Sequence, residues 1–261
     1  MTYCVAITVN AGLVFASDSR TNAGVDHVAT YGKMHVFGKD GDRQVVLLSA
    51  GNLATTQAVT AKLKDDLRRS RTPNLMTVED MGEVADYVGL VIRDERERHG
   101  AAVAAAGFSA EATFIVGGQI GDTPPMIYLV YPQGNFITTS EQTPYLQIGE
   151  TKYGKPILDR VIKAETTLEE AGRCALVSID STMRSNATVG PPIEILAYWR
   201  DSLTLEDYRV LAEDDPFLLE MRRAWNTRIT SAFDGLPRVS WGPLPKRARF
   251  VIDNDTGKGK S

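Results

Sequence analysis

The chain has few cysteines, no surplus of basic residues and no long apolar run. Its 261 residues include two cysteines, Cys4 and Cys174, which we expect to be free, buried thiols. The 29 Lys and Arg residues are outnumbered by 33 Asp and Glu residues, and this net charge of −4 argues against a nucleic-acid binder. No apolar stretch approaches the ~20 residues that span a bilayer, and the first residues lack the layout of a signal peptide. We therefore expect a soluble, cytoplasmic protein that contacts neither membrane nor nucleic acid.

The rest of the composition is that of an ordinary globular protein. Hydrophobic residues make up 43% of the chain and charged residues 24%, which excludes disordered and coiled-coil classes. The last residues, 237–261, contain three prolines and end in a polar run. We predict one domain over residues 1–236, followed by a loosely held C-terminal tail over residues 237–261.

Runs of strands separated by pairs of helices indicate an α+β fold. Strands are predicted at residues 3–9, 12–17, 33–38, 44–50, 112–119, 126–131, 135–139, 145–148, 193–199 and 208–211. Helices are predicted at residues 54–69, 77–98, 153–164, 167–184 and 215–233. A capping box at Thr77-Val78-Glu79-Asp80 is expected to start the second helix, and His99-Gly100 to end it. Two sheets with helices on their outer faces would form a four-layer α-β-β-α sandwich.

Thr2 is the first candidate for chemistry. A small residue after the initiator methionine normally allows the methionine to be removed, which would leave Thr2 as the N-terminal residue. A hydroxyl is a weak nucleophile until a base takes its proton, and an α-amine with a reference pKa of about 7.7–8.0 is a usable base near neutral pH. A terminal threonine would therefore carry both nucleophile and base. A strand predicted from Tyr3 onwards would hold it in place.

Three other features could support such a residue. Asp18 ends an apolar strand, and Lys33 begins a later one. A lysine close to an amine lowers the pKa of that amine, and an aspartate can hold the lysine charged. In Ser49-Ala50-Gly51-Asn52 a strand runs into a helix, and a glycine there lets a backbone N–H approach a developing oxyanion.

Other kinds of site are poorly supported by the sequence. Gly107-Phe108-Ser109-Ala110-Glu111 lacks the final glycine of a serine hydrolase elbow. The three histidines, His27, His35 and His99, have no metal-ligand spacing with the cysteines. Gly117-Gly118-Gln119-Ile120-Gly121 is followed by no helix, and this excludes a dinucleotide loop. The basic Lys246-Arg247-Ala248-Arg249 is expected to be a solvated part of the tail.

The order and spacing of these features resemble the β-type subunits of the 20S proteasome, which are N-terminal-nucleophile hydrolases. The segments that carry the resemblance are Leu13-Val14-Phe15-Ala16-Ser17-Asp18-Ser19-Arg20, Ala23-Gly24, Gly32-Lys33 and Ser49-Ala50-Gly51. The start of the chain, together with Asp18-Ser19-Arg20-Thr21-Asn22-Ala23-Gly24-Val25-Asp26, is similar to one bacterial branch, Anbu, the ancestral β-subunit. The likeness covers roughly residues 2–200 and is strongest in the first 55 residues.

The resemblance implies a threonine peptidase or amidohydrolase that needs no cofactor and no metal. Thr2 matches the catalytic threonine, Asp18 the first-strand aspartate, Lys33 the active-site lysine and Gly51 the oxyanion glycine. Ser185, in Ser185-Asn186, matches a serine that supports the threonine amine. Thr21, Ser49 and Leu53 would line a substrate pocket for neutral side chains. The resemblance also implies a homo-oligomer, either a closed ring or an open helical turn, and leaves an ATPase partner open.

The sequence departs from the family pattern at two places. Thr182 stands where the family has an aspartate three residues before the serine, and Asp180 is the nearby alternative. Gly149-Glu150-Thr151-Lys152-Tyr153 stands where the family has Gly-Ser-Gly-Ser before a tyrosine, so Glu150 adds a charge there. Two functions therefore stay open: an active threonine amidohydrolase, or an assembly protein of the same fold with little or no peptidase activity.

Overall fold

The computed structural model describes residues 1–22 and 28–243. The strands are β1 (Tyr3–Val9), β2 (Gly12–Asp18), β3 (Arg20–Asn22), β4 (Val28–Thr30), β5 (Met34–Lys39), β6 (Arg43–Gly51), β7 (Ala112–Ile120), β8 (Met126–Val130), β9 (Phe136–Thr138), β10 (Tyr145–Gly149), β11 (Ile193–Trp199) and β12 (Asp207–Leu211). The helices are α1 (Leu53–Arg68), α2 (Met81–Ala105), α3 (Lys155–Val161), α4 (Leu168–Ser185) and α5 (Pro216–Asp234). The motif residues Ala23-Gly24-Val25-Asp26, His27 and Lys246-Arg247-Ala248-Arg249 lie outside the described residues.

Two antiparallel sheets form the centre of the protein. One has the strand order β10-β1-β2-β11-β12 and the other β5-β6-β7-β8-β9, with five strands each. The predicted hairpin at Asn10-Ala11-Gly12 joins β1 to β2, with Val9 facing Gly12. A second hairpin joins β5 to β6, with Lys39 facing Arg43. The first hairpin brings the start of β1 beside the end of β2, and the packing of the two sheets places the end of β6 near them.

The sheets pack face to face and are covered by helices. Between the sheets, Cys4 and Phe15 from one sheet pack with Leu48 and Ile115 from the other. Alternate residues of β1 and β2 point outward to pack against α3 and α4, because successive side chains of a strand face opposite sides. Helices α1 and α2 cover the outer face of the second sheet in the same way. The predicted four-layer α-β-β-α sandwich is therefore confirmed.

The predicted start and end of the second helix are wrong. Helix α2 begins at Met81, and its N-cap is Asp80, whose side chain accepts a hydrogen bond from the backbone N–H of Glu83 at 2.9 Å. Thr77 instead accepts a bond from the N–H of Asn74 at 2.9 Å, within the preceding turn. At the other end the helix continues past Gly100 to Ala105, because the alanines that follow are the best helix formers.

A further difference from the sequence prediction lies near the start of the chain. The sequence predicts only four strands before the first helix, but the short pair β3 and β4 lies between β2 and β5. Each has three residues, too few for a periodic pattern to be recognised. This ribbon brings Thr21 and Tyr31 to the end of the sheets at which Thr2 lies.

The chain divides into two units, Met1–Arg223 and the residues from Ala224 onwards, of which the structure describes residues 224–243. The first holds both sheets. In the second, the described residues continue α5 to Asp234, and the N–H of Gly235 bonds to the carbonyl of Ser231. Cys4 and Cys174 are free and buried, as predicted. Each helix among the described residues is either too short or too polar for a bilayer crossing.

Candidate active site

Thr2 immediately precedes β1 and is held there by β10. Its backbone carbonyl accepts a hydrogen bond from the N–H of Glu150 at 2.7 Å, and Gly149 pairs with Tyr3 in the sheet. Gly149 has a φ of +84°, and a Cβ at this position would lie 1.9 Å from the carbonyl oxygen of Thr2. Glycine is therefore required for β10 to approach the start of the chain this closely.

Replacing Gly149 by alanine is expected to lower the free energy of unfolding by about 2–4 kcal/mol, because left-handed backbone strain and the overlap with Thr2 add. Gly41 provides the matched control, since its φ is +75° and a Cβ added there would have no neighbouring atom within 4 Å. Gly41→Ala should cost only the backbone strain, about 1–2 kcal/mol. Urea unfolding of both variants measures the difference. Equal destabilisation by Gly149→Ala and Gly41→Ala would mean that β10 can move away from Thr2 without a further loss of stability.

Lys33 and Asp18 form a buried ion pair next to Thr2. The Nζ of Lys33 lies 2.6 Å from a carboxylate oxygen of Asp18 and also donates to the carbonyl of Arg20 at 2.7 Å. The Asp18 carboxylate accepts two further bonds, from the backbone N–H of Tyr3 at 3.0 Å and from that of Gly190 at 3.1 Å. Because Asp18 contacts the residue after Thr2 as well as Lys33, it fixes the position of both.

Opposing electrostatic effects act on the amine at the start of the chain. Burial lowers the pKa of the Met1 amine below its usual value, and the charge of Lys33 lowers it further. The carboxylates of Asp18 and Glu150 act in the other direction and raise this pKa. Burial also raises the pKa of Asp18, against the opposing effect of Lys33 and the hydrogen bonds. These surroundings therefore favour the neutral form of the amine more than water does, and the neutral form can accept a proton.

Gly51 and Ser49 lie at the end of β6, opposite Thr2. The N–H of Ser49 donates to the carbonyl of Lys33 at 3.0 Å, which ties the two strands together at the site. Gly51 has a φ of +114°, and a Cβ on it would lie 2.4 Å from the carbonyl of Glu111. Asn52 then caps α1 by accepting a bond from the N–H of Thr55 at 3.1 Å. The change from strand to helix leaves the backbone at Gly51 exposed to the space in front of Thr2.

Most of the predicted site residues line a cavity of about 700 Å³. Those that line it are Thr2, Thr21, Lys33, Ser49, Gly51 and Leu53. One face of α1 forms a wall, since Leu53, Thr56, Gln57, Thr60, Ala61 and Lys64 follow the spacing of helical turns. None of the described residues that line this cavity carries a carboxylate. Asp18 lies behind Lys33, fully buried.

The sequence profile of the family described as "Proteasome subunit" matches residues 2–197 of the chain. The chain belongs to the proteasome family. Its structure is also similar to solved structures of Anbu, the ancestral β-subunit. No curated protein sequence matches the chain significantly.

Three solved Anbu structures illustrate this similarity within the proteasome family. Anbu from Yersinia bercovieri is 43% identical, with a TM-score of 0.87 over 92% of this chain and 100% of that chain. The helical assembly of the Anbu complex from Pseudomonas aeruginosa is 45% identical, with a TM-score of 0.86 over 95% of this chain and 100% of that one. Anbu from Hyphomicrobium sp. strain MC1 is 40% identical, with a TM-score of 0.84 over 91% and 99% of the two chains.

Ser185, for which the proteasome-family resemblance predicts a supporting role, is the last residue of α4 and is exposed. The side chain of the next residue, Asn186, points back into the fold and donates to the carboxylate of Glu150 at 2.9 Å. Ser185 is not among the described residues that line the cavity. The role of Ser185 therefore stays a prediction, whereas the contact between Asn186 and Glu150 was not predicted.

The two candidates for the late family aspartate make other contacts. Asp180 is buried and forms an ion pair with Arg222 of α5 at 2.8 Å. The hydroxyl of Thr182 donates to the carbonyl of Ser178 within α4 at 2.9 Å.

The sequence analysis did not identify three further residues that line the cavity, Tyr31, His35 and Gln57. Gln57 could have been found, because it lies one helical turn after Leu53.

Proposed function

We propose that this chain is a threonine amidohydrolase that cleaves peptide or amide bonds with Thr2, after removal of Met1 has freed the Thr2 amine. The observation that carries the proposal is the meeting of Thr2, Lys33 and Gly51 in one cavity, with Asp18 bonded to Lys33 behind it. These groups supply a hydroxyl, a cation that lowers the pKa of an amine, and a backbone position that is exposed to the cavity. They come from the start of the chain, the ends of β2 and β6, and the residue before β5, so only the fold brings them together.

In the proposed reaction, the Thr2 amine takes the proton of its own hydroxyl, directly or through a water molecule. The hydroxyl oxygen attacks the carbonyl carbon of the substrate, and the oxyanion that forms is stabilised at the backbone N–H of Gly51. The ammonium then gives its proton to the leaving amine as the carbon–nitrogen bond breaks. Water hydrolyses the resulting ester and restores Thr2. Lys33 favours the neutral amine before attack, and Asp18 holds Lys33 in place.

The surroundings of Thr2 suit an extended substrate with a neutral side chain before the scissile bond. A second hollow of about 520 Å³ shares Ala50, Gly51 and Gly149 with the main cavity, which leaves room on both sides of Thr2. In the main cavity Lys33 and Lys64 contribute positive charge, and the described lining includes no carboxylate. A basic side chain would meet like charge there without a partner.

Trapping with a peptide epoxyketone, which bonds both the amine and the hydroxyl of a terminal threonine, tests this proposal. We expect a single adduct on Thr2, located by mass spectrometry, and a mass for the untreated chain that lacks Met1. A compound with leucine next to the epoxyketone should react at least about tenfold faster than one with arginine. A retained Met1 and no adduct would contradict the threonine mechanism. Equal rates would contradict only the preference for neutral side chains.

We also propose that the chain forms a homo-oligomer, as the Anbu complex from Pseudomonas aeruginosa forms a helical assembly. Sedimentation velocity at micromolar concentration measures this, and a monomer would contradict it. The second candidate function is an assembly protein of this fold with little or no turnover. The observation that favours it is the charge of Glu150 beside the Thr2 backbone, where the resemblance predicts a hydroxyl.

A further inference from the structure

Glu150 is a buried acid beside the start of the chain. Its backbone N–H donates to the carbonyl of Thr2 at 2.7 Å, and the residue is only 8% exposed. The preceding Gly149 has no side chain to keep the two backbones apart. Glu150 therefore cannot move away from Thr2 without breaking the pairing that holds Thr2.

The side chain of Glu150 is held by groups from two directions. The Nδ2 of Asn186, the C-cap residue of α4, donates to one carboxylate oxygen at 2.9 Å, and Asn186 is itself bonded to the N–H and hydroxyl of Thr188. The Nζ of Lys152 lies 3.3 Å from the other oxygen. Lys152 is 66% exposed, so water screens its charge. Asn186 is neutral, so the exposed Lys152 is the cation that the described residues pair with the Glu150 carboxylate.

The carboxylates near the start of the chain are not equivalent. Lys33, Asp18 and Glu150 are the charged groups that act on the Met1 amine, and Lys152 reaches that region through its pairing with Glu150. Asp18 is paired with Lys33 at 2.6 Å within the protein, so a buried cation lies against its carboxylate. Glu150 has no buried cation as a partner among the described residues. Removal of Met1 would place the amine on Thr2, whose carbonyl Glu150 already binds.

We propose that Glu150 is a positioning residue whose carboxylate stabilises the ammonium form of the Thr2 amine when that amine takes the hydroxyl proton. Burial and Lys33 both disfavour a charged amine, whereas the carboxylates of Asp18 and Glu150 favour it. The negative charge of Glu150 adds to that of Asp18 and raises the basicity of the amine. Asn186 keeps the carboxylate in place, and Lys152 moderates its charge. The consequence for catalysis rests on the function proposed above, whereas the effect on the amine does not.

Titration of the chain-terminal amine tests the inference directly. The amine is methylated with ¹³C-formaldehyde, and its methyl chemical shift is followed against pH by NMR. Glu150→Gln keeps an oxygen that can accept the bond from Asn186 but removes the charge, and should lower the amine pKa by about 0.5–1 unit. Lys152→Ala exposes the full charge of Glu150 and should raise the pKa by a few tenths of a unit.

The opposite signs separate this electrostatic role from a merely structural one, because damage to the fold would not move the pKa in both directions. Glu165→Gln, which removes an exposed glutamate, is the control and should leave the titration unchanged. If hydrolysis is detected, the acidic limb of its pH–rate profile should shift to lower pH in Glu150→Gln. The neutral amine is the base, and a lower amine pKa keeps it neutral at lower pH. Unchanged titrations in both variants would overturn the inference even if hydrolysis depends on Thr2. Shifted titrations without Thr2-dependent hydrolysis would contradict the proposed function alone.

Discussion

Replacing Thr2 by alanine is expected to lower peptide or amide hydrolysis by at least about 10³-fold, because the hydroxyl is the proposed nucleophile and no other group replaces it. The fold should not change, since the described bond that holds Thr2 uses its backbone carbonyl rather than its side chain. Alanine is also small enough for Met1 to be removed. The measurement is kcat/KM for wild type and variant on the same substrate, with the N-terminal mass of both chains determined.

Thr2→Ser is the matched control for this result. Serine keeps the hydroxyl and the amine on the same residue, so activity is expected to stay within about tenfold of wild type. A Thr2→Ala protein that hydrolyses a peptide and amide library as fast as wild type would contradict the nucleophile. The assembly function would then be the better description of this proteasome-family chain.

Asp18→Asn is expected to lower the free energy of unfolding by about 3–5 kcal/mol, because it leaves the charge of Lys33 buried without a partner. Lys33 is only 6% exposed and Asp18 fully buried, so water cannot replace the lost carboxylate. The variant should also lose hydrolysis, since Lys33 and Tyr3 are both bonded to Asp18. Urea unfolding at one fixed protein concentration measures the change in stability.

The double variant Asp18→Asn, Lys33→Met distinguishes the unpaired charge from other effects at this position. Methionine fills a similar volume without a charge, so the double variant should be more stable than Asp18→Asn alone. It should remain inactive, because burial alone is then left to lower the amine pKa and the contribution of Lys33 is gone. If Asp18→Asn costs less than about 1 kcal/mol, the ion pair does not hold Lys33 in the way its geometry indicates.

Much of the fold could be predicted because each element carries its own local signal. The hairpin at Asn10-Ala11-Gly12 has turn residues between two β-branched runs, and α4 has a capping residue, Thr167, before an amphipathic pattern. The errors lie where two local signals compete. Thr77 and Asp80 are both good caps, and the helix begins after Asp80 because Thr77 bonds within the preceding turn. The short β3 and β4 carry no periodicity of their own.

The candidate site, like the fold, could be predicted from the sequence only in part. Residue type and order made Thr2, Asp18, Lys33 and Gly51 candidates, because a terminal hydroxyl with an amine needs a cation and a backbone donor to act. That Thr2, Lys33 and Gly51 line one cavity, with Asp18 behind Lys33, was implied only by resemblance until the strands were paired. The contact of Asn186 with Glu150 joins residues 36 positions apart, and no spacing rule predicts it.

The sequence by itself determined the chemistry that is available: a threonine at position 2, the charges that surround it, and the alternation of apolar residues that builds two sheets. The tertiary structure decided which of those groups act on one another. It buried Glu150 against the Thr2 backbone, directed Asp180 to Arg222, and left Ser185 at an exposed helix end. The physical reason is that burial and distance set the strength of a charge, and both depend on how distant segments pack.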